Sequence, residues 1–115
     1  MAVTSFASGT QTATVTTEHS LTSVTESGVF VFLVDTVNMA AGDVLELRVN
    51  KIALASGTKR AHLFVAYYGA QAAHDLMKQS IPIPNDLTDA NSIECTLKQT
   101  FGTGRAYPWK VLKVL

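Results

Sequence analysis

Apolar and polar residues alternate with period two along most of this chain, the pattern of strands that turn one face to a core and the other to water. Two threonine-rich stretches come first, Gln11 to Thr17 and Ser20 to Thr25, separated by the polar pair Glu18-His19. Their β-favouring but weakly apolar composition predicts exposed or edge strands. Gly28 to Thr36 differs, because its run Val29-Phe30-Val31-Phe32-Leu33-Val34 is apolar on both faces, as in a strand covered on both sides or packed at an interface. Leu45, Leu47 and Val49 then share one face and Glu46, Arg48 and Asn50 the other, after which the apolar phase slips to Ile52 and Leu54. A one-residue slip without a loop predicts a β-bulge near Asn50-Lys51.

Ala55 to Lys59 are turn-prone residues of hairpin length and lead into a strand over Arg60 to Tyr68. Ala70 to Gln79 reads as a loop with a helical turn, since its apolar residues are mostly alanine and it is short for a stable helix. Pro82 and Pro84 interleave Ile81 and Ile83 and confine any strand there to an edge, because proline cannot donate to a ladder. Asn85 to Ser92 is a loop by composition. Ile93, Cys95 and Leu97 oppose Glu94, Thr96 and Lys98 in an amphipathic strand that ends at Gly102-Thr103-Gly104, and Ala106 to Val114 forms a last strand around Trp109.

The expectation is an all-β fold, an antiparallel β-sandwich or jelly roll of about eight strands. Its core is predicted from Val29, Val31, Leu33, Leu45, Leu47, Val49, Leu63, Val65, Cys95, Leu97, Trp109 and Val111. Residues 1–10 are expected as a flexible N-terminal arm and residues 11–115 as a single β domain. With Val29, Val31 and Leu33 assigned to the core, Phe30, Phe32 and Val34 need a second layer or a neighbouring subunit. They are the candidate subunit interface.

Composition narrows the functional classes. The chain has 115 residues, 47% hydrophobic and 16% charged, and nine basic residues balance nine acidic ones. A chain of this make-up folds as one domain, and a formal net charge of zero gives no global field toward nucleic acid or anionic lipid. Weak repulsion between copies eases self-association. The single Cys95 forms no internal disulfide, which suits a reducing cytoplasm, and the N-terminal sequence lacks the basic and long apolar regions of a secretory signal. The longest apolar run, Val29 to Val34, is far too short to span a membrane.

Candidate chemistry is sparse, and neither catalysis nor a metal or other cofactor is expected. His19, His62 and His74 lack metal-ligand spacing, and His74-Asp75 has no accompanying nucleophile motif. Cys95 shares the apolar face of its strand, so it reads as a small buried hydrophobe. Gly102-Thr103-Gly104-Arg105 resembles a phosphate loop but lacks the lysine-serine pair and the helix, so a hairpin turn is the simpler reading. Lys98, Arg105, Lys110 and Lys113 interleave with Tyr107 and Trp109, a composition able to stack single-stranded bases, weighed against an ordinary core-facing hairpin. Asp86 and Asp89 share a loop and are too few for a calcium site.

The run Gly28 to Thr36, the segment Ala41-Gly42-Asp43-Val44-Leu45-Glu46-Leu47-Arg48, the hairpin Gly57-Thr58-Lys59-Arg60 and the stretch Leu97 to Trp109 together resemble small virion structural proteins of tailed bacteriophages. The resemblance implies a capsid decoration, or cement, protein: a compact β-sandwich or jelly roll, homotrimeric, docked on the major capsid protein of a phage head. It implies manufacture in the bacterial host cytoplasm and residence in the virion, with neither membrane nor nucleic acid as partner. The alternative from a different class is a β-sandwich binding module for carbohydrate or single-stranded nucleic acid.

Overall fold

The computed structural model describes residues 2–24, 26–54, 56–86 and 93–114. Among the described residues nine strands form in chain order: β1 (Val3–Thr12), β2 (Glu18–Val24), β3 (Gly28–Asp35), β4 (Val44–Lys51), β5 (Arg60–Tyr68), β6 (Met77–Gln79), β7 (Ile83–Asn85), β8 (Ile93–Phe101) and β9 (Ala106–Val114). Every strand pair is antiparallel.

The strands make two sheets. Sheet A runs β1-β9-β3-β6, with β7 also pairing β3, and sheet B runs β2-β8-β4-β5. Because β6 lies against Leu33 to Asp35 and β7 against Gly28 to Phe30, the two short pieces occupy one lane beside β3. The lanes then number four per sheet, in the order of a jelly roll. The prolines near 82–84 explain the interruption, since a strand carrying them can pair only in pieces at an edge.

Between the sheets lie Val24, Phe30, Phe32, Val34, Leu45, Leu47, Val49, Ile83, Ile93, Cys95, Leu97, Tyr107 and Val111, all buried, with Phe6, Leu21, Leu63, Tyr67 and Trp109 packed against them. The alternations over β4 and β8 therefore point as the sequence predicts. The β4–β5 register shifts between Val49 and Asn50, where a bulge was predicted.

Two expectations are corrected. In β3 the faces are exchanged: Phe30, Phe32 and Val34 are only 2%, 4% and 1% exposed inside this chain's own core, so they cannot serve as a subunit interface. Their neighbours across the ladder, Val111 and Trp109, share that inward face, and the Phe6 ring meets Phe30 edge-on at 5.2 Å. A run apolar on both sides carries no mark of which side turns inward, and the bulkier rings fill the space between the sheets. The N-terminal arm is also ordered, because Val3 to Thr12 pair along the whole of β9. Serine, threonine and valine suit an edge lane that needs only one apolar contact, which Phe6 supplies.

Smaller differences are local. The strand expected through Thr17 stops at Thr12, because Thr14 to Thr17 turn toward sheet B, with Thr16 at φ 72° and its N–H donated to the Gln99 carbonyl at 2.7 Å. Residues 70–79 hold a turn closed by Asp75 N–H on the Ala72 carbonyl, followed by β6. Of the loop expected over Asn85 to Ser92, residues 87–92, including Asp89, lie outside the described residues.

Candidate functional site

The two outer faces of the sandwich differ in chemistry. Since Phe30, Phe32 and Val34 point inward, Val29, Val31 and Leu33 point outward, and residues directly opposite them in the ladder share their face. Val31 stands beside Leu112, Val29 beside Val114 and Pro84, and Leu33 beside Lys110 and Gln79. Val3 extends the face onto β1 opposite Val114, and Met77 extends it opposite Asp35. Val3 and Met77 are each 56% exposed. The outer face of sheet A is thus apolar along β3 and β9, where Val31, as predicted, is buried at only 8% exposure; it reaches β1 at Val3 and the β6–β7 lane at Met77 and Pro84, while Ser5, Ser8 and Thr10 make the rest of its β1 lane polar and Lys110 and Asp35 are its charged members on β9 and β3.

A shallow groove of about 370 Å³ lies within this face, lined by Leu33, Met77, Pro108, Trp109 and Leu112 between Asp35 and Lys110. Trp109 reaches the core from the same strand. Its indole lies over Gly9, where an added Cβ would come within 3.3 Å of the ring nitrogen. The missing side chain at Gly9 makes room for the ring.

On its central strands β4 and β8, sheet B turns Glu46, Arg48, Asn50, Glu94 and Lys98 outward, while its edge strand β5 exposes Phe64 and Tyr68 on the same face. Arg48 pairs with Glu46 at 2.8 Å, Lys98 stands opposite Glu46, and Ser20 and Asn50 both donate to Glu94. The Arg48 guanidinium also lies 4.6 Å from the centroid of the Phe64 ring. These groups pair with one another in part, though among the described residues Arg48 Nη1 and the Thr96 hydroxyl oxygen are buried without a partner.

One end of the sandwich is locked by a buried polar cluster. Asp43, 1% exposed, accepts from Ala40 N–H at 2.9 Å, Arg105 Nε at 2.9 Å and Thr103 N–H at 3.3 Å. Burial alone would raise its pKa, but those hydrogen bonds and the Arg105 charge outweigh it and hold the carboxyl below its ordinary value. Beside it, Gln99 donates to the Phe101 and Thr103 carbonyls and accepts from Arg105 N–H and the Tyr107 hydroxyl. Burial, with Asp43 nearby, pushes the Tyr107 phenol up to about 12 despite Arg105. The Gly102-Thr103-Gly104-Arg105 turn is accordingly held by this chain's own side chains. Gly102, at φ 91°, also has a Cβ position that would collide with Asp43.

The remaining candidates are dispersed. His19 accepts from Thr14 N–H at 3.0 Å, while His62 and His74 are exposed on β5 and on the loop before β6. Among the described residues no three His, Cys, Asp or Glu side chains gather as a metal site. Asp75 pairs with Lys78, whose buried ammonium also sits over Tyr67 and closes the side of the sandwich between β5 and β6. Cys95 is enclosed, and burial, with Glu94 beside it, pushes its thiol up to about 12. Of the basic, aromatic C-terminal stretch, Tyr107 is fully buried, Trp109 packs on the core, and Arg105 and Lys113 pair with Asp43 and Glu26. These rings are committed to packing.

Comparison with protein-family models, with curated proteins and with solved structures found no match for this chain. No helix among the described residues is long and apolar enough to cross a membrane.

Proposed function

We propose that the chain is a structural module that docks by the outer face of sheet A, and that its setting is a phage head, where it binds the major capsid protein as decoration proteins do. The observation that carries the docking reading is the contrast between the two outer faces. A sheet face left to water is expected to alternate to polar residues, as the central strands β4 and β8 of sheet B do, whereas on the central strands β3 and β9 of sheet A Val29, Leu33, Leu112 and Val114 do not, and they flank the covered Val31. Four lanes spaced by about 4.8 Å and about 30 Å long make roughly 600 Å² of face, about half of it on the apolar lanes β3 and β9, against the ~800 Å² that each partner gives to a standard interface. The jelly roll, the zero net charge and the resemblance in sequence support the virion setting.

Mass spectrometry of purified virions of the virus encoding the chain tests that setting, together with immunogold labelling of intact particles. The reading predicts the chain in stoichiometric amount with gold on the head. Particles that lack the chain while infected cells contain it would overturn the reading.

A further inference from the structure

We propose that β5 is a pairing edge, and that a second copy of this chain adds its own β5 antiparallel to it across a two-fold axis at Ala66. Among the described residues the strand closes sheet B with a ladder to β4 on one side only. Gly69 N–H donates to the Asp43 carbonyl at 2.8 Å, which makes Gly69 and Asp43 a hydrogen-bonded pair. Bonded pairs alternate along an antiparallel ladder, so Tyr67, Val65 and Leu63 also direct their N–H and C=O groups to β4. Phe64, Ala66 and Tyr68 therefore direct theirs to the open edge. Gln71 Nε2 meets the Tyr68 carbonyl there at 3.3 Å, a long contact that a strand partner would replace.

The other edges carry devices that discourage pairing. In β2, Glu18 and His19 precede a bulge between Ser20 and Thr22. The lane of β6 and β7 is broken and rich in proline, and β1 has a bulge between Ser5 and Ala7 and mostly small polar residues beyond it. On β5 the charge and the bulge are confined to the start, at Arg60 and around His62. From Leu63 to Tyr68 the strand has no charge and no proline, and it leaves Phe64 49% and Tyr68 73% exposed.

The sequence of this edge is complementary to itself. With the axis at Ala66, Phe64 of each copy stands opposite Tyr68 of the other and Ala66 opposite Ala66, and all three bring outward backbone groups into register. Arg60 and His62 then fall beyond the end of the neighbouring strand, so no like charges meet. Aromatic cross-strand pairs stabilise such a ladder, and the zero net charge leaves no repulsion between the copies. The contact is on a different surface from the outer face of sheet A and holds whether or not the chain belongs to a virion. It makes dimers, where the resemblance implies trimers.

Light scattering on the purified protein in the tens of micromolar tests it, beside Ala66→Lys. That lysine would lie opposite Glu46 within the subunit, which favours the fold, yet would face its own copy across the axis. Expected are a mass twice the 12.3 kDa chain for the natural protein and a single-chain mass for A66K with unchanged far-ultraviolet circular dichroism. As a second readout, Ala66→Cys should cross-link with a short bis-maleimide and His62→Cys should not, Cys95 being enclosed. A natural protein that stays monomeric or forms trimers, an A66K protein that keeps the doubled mass, or a dimer that A66C fails to cross-link would overturn the proposal.

Discussion

Replacing Asp43 by alanine should be strongly destabilising. The carboxylate is enclosed and is the shared acceptor for Ala40 N–H, Thr103 N–H and Arg105 Nε, so its removal leaves three donors without their partner in a region that excludes water. A backbone donor stripped of its acceptor costs about 1–2 kcal/mol when buried. Two of them, plus the lost attraction to Arg105, bring the expected loss to about 3 kcal/mol, at the lower end of the range for breaking a buried ion pair because the Arg105 side chain is 32% exposed. Arg105→Ala should cost less, about 1 kcal/mol, since Asp43 keeps both backbone donors. For a chain of this size about 3 kcal/mol lowers Tm by about 12 °C.

Thermal and urea unfolding followed by circular dichroism measure these losses. The folded carboxyl titrates below its ordinary 3.8, so its stabilisation is complete above that pH and is lost as the pH falls through the lower, folded value. The acid limb of the stability profile should therefore be shallower in D43A. A D43A protein within 1 kcal/mol of the natural one, with an unchanged acid limb, would refute the clamp.

The core assignment in β3 gives a paired test: Phe32→Asp should abolish soluble folded protein, whereas Val29→Asp, at a half-buried position pointing the other way, should leave a folded chain by circular dichroism. Phe30→Ala should cost about 3–5 kcal/mol in urea unfolding, because both the ring and its contact with Phe6 are lost. Cys95 should stay unreactive to a disulfide reagent in the native state up to strongly alkaline pH, its thiol being held at about 12, and should react fully in denaturant. Gly102→Ala should lower stability by about as much as Asp43→Ala, through collision with the same carboxylate and a positive φ, as thermal melting would show.

Strand β5 was legible in the sequence from its β-favouring composition after the hairpin and β9 as the closing strand around Trp109, whereas β4 and β8 were legible because each sets apolar against polar residues, an alternation that states both the strand and its inward side. The bulge beside Asn50 was legible for the same reason, as a slip in that phase. β3 was legible as a strand but not in orientation. Its run is apolar on both sides, and nothing local distinguishes Phe32 from Val31 until the opposing strands are placed. The N-terminal strand was hidden because Ser, Thr and Gly read equally as loop, and only pairing with β9 and the inward Phe6 decide the matter. Lys78 was equally opaque: burying its ammonium depends on Tyr67 and Asp75, which the fold brings together.

The most direct measurement of the proposed docking is co-sedimentation of the purified protein with tailed-phage heads lacking this chain, comparing the natural protein with the Leu33→Asp, Leu112→Asp double variant. Both substitutions lie on the outer face of sheet A, away from the core and from β5. The account predicts saturable binding by the natural protein and at least about a tenfold loss of affinity in the variant, the effect of about 1.4 kcal/mol, with its fold intact. Equal binding by a folded double variant would contradict it.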